Sequence, residues 1–140
     1  MSEKSTVLGT AARDERDIRE LIQRWAGAVR EHNYEAILAD RDPDIVMFDV
    51  PPPFCSRGIN EYQQTWDLFF NNYHRQSDAF DVRELEVTAG RDVAFAVATM
   101  RCGPNEKGRG DQSDFRLTIG LRKIEDRWRV VHEHHSVPAA

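Results

Sequence analysis

The sequence predicts an α+β domain in which helices come first and a bent, mostly antiparallel sheet follows. Up to His74 the apolar residues recur mainly with helical period, and after it they keep strand period to the C-terminus. Both halves belong to one domain, because 140 residues with 40% hydrophobic content can bury a single core.

Residues 1–12 are small and polar and read as a loose tail, which leaves 13–138 as the folded domain. From Asp14 onward Ile18, Leu21, Ile22, Trp25 and Val29 form the stripe of an amphipathic helix that ends near His32-Asn33. A short second helix follows, about Tyr34 to Ala39. Ile45 to Val50 reads as a strand, with Asp42-Pro43 before it and Pro51-Pro52-Pro53 after it. Gly58 opens a third helix that carries Ile59, Tyr62, Trp66, Phe69, Phe70 and Tyr73 on one face.

Beyond His74, Phe80 and Val82 are in phase while Leu85 and Val87 are one residue out of step, which predicts a β-bulge near Arg83-Glu84. Val93 to Cys102 and Ser113 to Ile124 are strands joined by a polar turn, Pro104 to Gly110. Glu125-Asp126-Arg127 turns the chain into a last strand, Trp128 to Val137. A twisted sheet bent in this way curls around the helices and encloses a cone whose mouth can hold a small ligand.

Charge narrows the function classes. The net charge is −5, with 19 basic residues outnumbered by 24 acidic ones, and no basic stretch marks a nucleic-acid footprint. No segment approaches the roughly 20 apolar residues of a membrane span, and the N-terminus shows no apolar leader, so a cytoplasmic protein with a small-molecule or protein partner is expected. Cys55 and Cys102 lack C-x-x-C spacing and read as two reduced thiols.

Two places could carry chemistry. Asp49 ends an apolar run beside Phe48, Phe54 and three prolines, a setting that would desolvate the carboxylate and make it a better general base. The alternative is that Asp49 caps a turn or pairs with Arg57. His132-Glu133-His134-His135 puts four ionisable residues in a row on a strand, so His132 and His134 share one face and Glu133 and His135 the other. Periodicity alone does not decide which pair faces inward. His-x-His could chelate a metal, but a catalytic ion normally has three protein ligands and no third is spaced for it, so neither metal nor cofactor is expected. His32 and His74 sit at predicted helix C-termini, where structural roles suffice.

The element order, Gln23-Arg24-Trp25, Asp49-x-Pro51, Ser56-Arg57-Gly58 and the ending Trp128-x-x-Val131-His132-Glu133-His134-His135-Ser136 resemble the SnoaL-like, ketosteroid-isomerase-like branch of the nuclear transport factor 2-like superfamily. A similar ending occurs in the association domain of calcium/calmodulin-dependent kinase II. The resemblance spans roughly residues 13–138 and implies a conical fold, a pocket between sheet and helices, and a homodimer formed through the sheets. It implies no single reaction.

By this resemblance Asp49 matches the proton-shuttling aspartate of the isomerases. Trp25 stands where they carry an oxyanion-hole tyrosine, and Ile119 or Gly120 where they carry a second aspartate. Aliphatic and glycine side chains donate no hydrogen bond, and losing one such donor typically costs about 10²–10³ in rate, so steroid isomerisation is not expected. In the register implied by relatives Val131, Glu133 and His135 face the pocket. Glu133 and His135 would then act with Asp49, and Trp25, Phe48, Arg57, Tyr62, Trp66, Phe70, Ile119 and Val131 would contact a small apolar or aromatic molecule. The expected function is cofactor-independent isomerase or cyclase chemistry on an apolar carbonyl compound. The alternative is a non-catalytic ligand-binding or dimerisation module, and a cofactor-free epoxide hydrolase ranks last because its Asp-Arg-Asp set is incomplete.

Overall fold

The computed structural model describes residues 3–139. In chain order the elements are α1 (Glu3–Arg30), α2 (Tyr34–Leu38), β1 (Arg41–Phe48), β2 (Ser56–Arg57), α3 (Ile59–Asn72), β3 (Ala79–Ala89), β4 (Val93–Gly103), β5 (Ser113–Ile124) and β6 (Arg127–Ser136). The strands form one six-stranded sheet in the order β2-β1-β6-β5-β4-β3. Only β1 and β6 run parallel among the paired strands described, and every other pair is antiparallel.

Helix α1 is longer than its apolar stripe predicts. Of the segment read as a tail, residues 1 and 2 lie outside the described residues and residues 3–12 are helical. No proline stops the helix there, and Ala11-Ala12 continue the turn set by Ile18 and Leu21. The stripe is the core: Ile18, Leu21, Ile22, Trp25 and Val29 are buried with Tyr62 and Trp66 of α3 and the inward residues of the sheet. Asp14 is also buried, because its Oδ1 accepts from Trp128 Nε1 at 3.1 Å and from Lys123 Nζ at 2.9 Å, pinning α1 to the β5–β6 hairpin. At the other end His32 Nε2 lies 2.8 Å from His74 Nδ1, and His74 Nε2 donates to the Asp78 carbonyl at 2.9 Å.

Strand β1 starts at Arg41, so Asp42-Pro43 is inside it and not at its boundary. Arg41 pairs with Val130 and Val46 with His132, so the residues between them have only Val131 opposite. That interruption of the ladder gives Pro43 a place where no backbone N–H is required. The strand ends at Phe48, which leaves Asp49 just outside it. Gly58 caps α3 at φ 87, a left-handed conformation that a side chain would resist.

Two bulges shape the sheet. The first falls between Val82 and Glu84 on β3, as the phase change predicts. The second was not legible in the sequence: Gly120 pairs with His132 but Leu121 pairs with Val130, so Val131 is an extra residue on β6. Trp128 and Val130 therefore face the core, and Glu133 and His135 on the far side of the bulge face it too. Val131 lies in the bulge, half-buried, and not on the pocket side with Glu133. The outer face is instead lined by His132, whose Nδ1 donates to the Val46 carbonyl at 2.7 Å, by His134, and by Arg116, whose Nε donates to Ser136 Oγ at 3.0 Å. Phe48 of β1 and Val93, Phe95 and Val97 of β4 are among its exposed apolar residues.

Candidate active site

A cavity of about 530 Å³ opens where β1, β4 and β6 end and β3 and β5 begin. Its walls are aromatic: Trp66 and Phe69 of α3, Tyr73 just past its end, Phe80 of β3 and Phe115 of β5. Asp49 to Pro52 form one lip, with Gly103-Pro104 and Asp111 on another.

His135 is on the floor of this cavity and only 6% exposed. Its ring stacks on Phe115, with centroids 5.6 Å apart and planes 7° apart, and meets the edges or faces of Trp25 and Trp66 at 6.2 and 6.1 Å. Packing of this kind fixes the ring plane. Its Nε2 donates to Glu133 Oε1 at 3.0 Å, so the carboxylate selects the Nε2–H tautomer and leaves the lone pair on Nδ1. Nδ1 has no protein partner among the described residues and is open to the cavity.

Glu133 is completely buried behind His135 and does not line the cavity itself. Its Oε2 accepts from Tyr62 Oη at 2.6 Å and from Arg41 Nε at 3.0 Å. Arg41 Nη2 is also 3.0 Å from Oε2, an ion-pair contact whose angle gives no second hydrogen bond. Tyr62 Oη in turn accepts from Trp25 Nε1 at 3.2 Å and from Arg41 Nε at 3.1 Å. Burial alone would push the Glu133 carboxyl up, but the Arg41 charge and the hydrogen bonds from His135 and Tyr62 outweigh it and hold the group below the ordinary carboxylate value. Burial pushes the Tyr62 phenol well above its ordinary value, with Arg41 opposing and Glu133 reinforcing that shift. At neutral pH the network is thus Arg41⁺, Glu133⁻ and a protonated Tyr62.

The sequence-derived residues divide into three groups. Glu133, His135, Trp25 and Tyr62 are brought together, but Trp25 and Tyr62 support the network from the core and do not line the cavity. Asp49 and Trp66 line the cavity. Asp49 is half-buried at the mouth, and its Oδ1 accepts from the Val50 N–H at 2.8 Å. The Trp66 indole N–H is turned toward Tyr62 without reaching hydrogen-bond geometry.

The third group lies elsewhere. Phe48 packs on the outer face against His132 and His134, because strand alternation from buried Met47 points it away from the core. Arg57 is exposed on the edge strand β2. Phe70 stacks on His32 at 3.7 Å, on the side of α3 away from the cavity. Ile119 is core, paired with Glu133 across the sheet.

Sequence reasoning missed Arg41. Asp40-Arg41-Asp42 reads locally as a polar turn, yet Arg41 is 4% exposed. The signal lay in Glu133: a carboxylate on an inward face requires a cation within reach. Among the described residues no group of three or more His, Cys, Asp or Glu side chains could hold a metal ion.

Comparison with known proteins places this geometry. Residues 18–140 match the model of the SnoaL-like domain. An NTF2-like protein of unknown function from Pseudomonas putida KT2440 is 32% identical, with 92% of this chain and 89% of that one covered and a TM-score of 0.83. A Nostoc punctiforme protein of unknown function with a cystatin-like fold is 17% identical over 92% and 94% of the two chains, at a TM-score of 0.80. A candidate ketosteroid isomerase from Shewanella frigidimarina is 19% identical over 84% and 92%, at 0.69. No curated protein matches the sequence. With its bent sheet, N-terminal helices and match over most of its length, the chain belongs to the SnoaL-like domain family and has the NTF2-like fold.

Proposed function

We propose that the chain binds a small apolar or aromatic carbonyl compound in this cavity and catalyses cofactor-independent proton transfer on it, of isomerase or cyclase type. The observation that carries the reading is the Glu133–His135 pair. A buried carboxylate held by Arg41 and Tyr62 donates nothing to the cavity, but it orients an imidazole whose free nitrogen opens into an aromatic-walled space. His135 is accordingly the general base of this proposal, and Asp49, at the mouth, is the second group able to take or return the proton. Trp25 already donates to Tyr62, which leaves no free indole donor where the isomerases carry their tyrosine. That speaks against steroid isomerisation and for a substrate whose enolate needs less stabilisation.

The reading includes two copies of the chain associating through the outer sheet face. Trp128 and Val130 are in the core, and the apolar surface on the outer face is Phe48, Val93, Phe95 and Val97.

The test is exchange of α-protons for deuterium in a panel of apolar ketones, followed by NMR. Wild type should accelerate exchange for at least one compound, His135→Gln should lose about 10²-fold or more, and Asp49→Asn should lose less. Ketones that bind in the cavity yet exchange at the buffer rate would defeat the catalytic reading. The chain would then be a ligand-binding module.

A further inference from the structure

The cavity also carries information about ligand charge, and this inference rests on the proposal that the cavity is the ligand site. Its lining contains three carboxylates, Asp49, Asp111 and Asp114, and no lysine or arginine. Two nearby cations are paired, and Arg83 lies close enough to Asp114 to favour its charged form. Arg101 Nε donates to Asp114 at 2.9 Å, and Arg109 makes two hydrogen bonds to Asp78, at 2.8 and 3.0 Å. Lys107, on the exposed β4–β5 turn, is not part of the lining. Asp111 has no ionic partner among the described residues, and Asp49 accepts only the neighbouring Val50 N–H. His74, the second imidazole in the wall, is held as a neutral donor and acceptor between Asp78 and His32. Asp114 is thus offset by Arg101, and the uncompensated negative charge of the rim rests on Asp49 and Asp111.

Acidic residues on a surface would not by themselves define a site. Here they rim a half-open aromatic space whose floor is His135, more than nine-tenths buried, with an unpartnered Nδ1 facing the cavity. That nitrogen supplies a hydrogen-bonding point at the bottom, and the carboxylates set the field at the top.

We infer that the cavity accepts flat apolar ligands that are neutral or carry an amine at the mouth end, and discriminates against ligands carrying a carboxylate or phosphate. An ammonium group near the rim gains attraction from Asp49 and Asp111, whereas an anion meets repulsion with no arginine or lysine in the lining to relieve it. Acyl groups borne on phosphorylated carriers are excluded as substrates on the same ground, unless the carrier phosphate stays well outside the mouth.

Three probes of one shape test this: 1-naphthylmethylamine, 1-naphthalenemethanol and 1-naphthoate. The protein is labelled with 5-fluorotryptophan, and the Trp66 fluorine resonance reports cavity occupancy while that of Trp128, bonded to Asp14 at the far end of the sheet, serves as the control. The alcohol tests whether the cavity is occupied at all. The amine should bind about 5-fold tighter than the alcohol at low salt and the naphthoate about 5-fold weaker, with both gaps falling below about 2-fold at 0.5 M salt. Asp111→Asn should shrink the gaps. Asp114→Asn, which removes one negative charge by leaving Arg101 unpaired at the rim, should shrink them as well. Equal affinities for the three probes, a preference for naphthoate, or gaps unchanged in both variants would overturn the charge inference while leaving the α-proton exchange result standing. If none of the probes moves the Trp66 resonance at millimolar concentration, the inference fails together with the binding site it assumes.

Discussion

Arg41→Met is the most informative single substitution. It removes the cation from a pair whose side chains are 1% and 0% exposed and whose atoms are 3.0 Å apart, and it puts an unbranched apolar chain in the same space. Removing one partner of a buried pair strands the other charge, at a cost of about 3–5 kcal/mol. The lower end is expected here, because Tyr62 and His135 still donate to Glu133. Domains of this size are stable by about 5–15 kcal/mol, so the variant should still fold. Urea unfolding monitored by circular dichroism gives the difference directly. The double variant Arg41→Met/Glu133→Gln should recover about 2 kcal/mol or more of the loss, as expected for two groups acting on each other.

The pH dependence has a definite sign. In wild type the folded Glu133 lies below its ordinary value of 4.5, so its contribution is present above pH 4.5 and is lost as pH falls through the folded pKa. Without Arg41, burial dominates and moves the folded value above 4.5. The variant's penalty is then greatest at neutral pH and fades as acid protonates Glu133. The gap between the two proteins should narrow from pH 7.5 to pH 5. A gap that stays constant, or a coupling energy below about 0.5 kcal/mol in the double-mutant cycle, would refute the claim that Arg41 acts through the Glu133 charge.

Two further outcomes follow from other parts of the molecule. Burial pulls His74 and His32 below their ordinary value of 6.5, with the His74 charge adding to the effect on His32 while Asp78 and Glu31 oppose it. The stability of the neutral pair is complete above pH 6.5 and declines as pH falls below it, so Tm should drop between pH 7 and 5.5 and drop less in His32→Gln; an identical slope in both proteins counts against this. On the outer face, wild type should sediment as a species larger than 16.2 kDa, and Phe95→Lys, which charges a half-exposed ring, should shift it toward the monomer. A wild-type protein that sediments at 16.2 kDa at micromolar concentration excludes the pairing.

The elements themselves were legible because period and punctuation agreed. Ile18 to Val29 could only be a helix with a buried stripe, and the one-residue slip between Val82 and Leu85 located the β3 bulge. The site was half legible. His135 and Glu133 fall on one face by alternation alone, which is a local property. Arg41, by contrast, reaches Glu133 from a strand ninety-two residues earlier. No local pattern encodes which turn-like arginine a distant strand will bury. Phe48 and Val131 were misplaced for other reasons: Phe48 was counted among the aromatic rings expected at the cone's mouth and Val131 was assigned by its match to relatives, whereas alternation from Met47 and the unseen bulge decide where they point.

That bulge gives β6 a division of labour. The N-terminal half, with Trp128 and Val130, closes the base of the domain, and the C-terminal half, with Glu133 and His135, meets the cavity and the buried Arg41. One unpaired residue at Val131 resets the phase between them, so the two halves face the same interior without sharing a periodicity. Substitutions in the cavity half can thus alter the cavity floor without disturbing the base. Deleting Val131 would place Val130 directly before His132, so that plain alternation would hold Trp128, Val130, Glu133 and His135 on the inner face while the bend that the extra residue supplies would be lost.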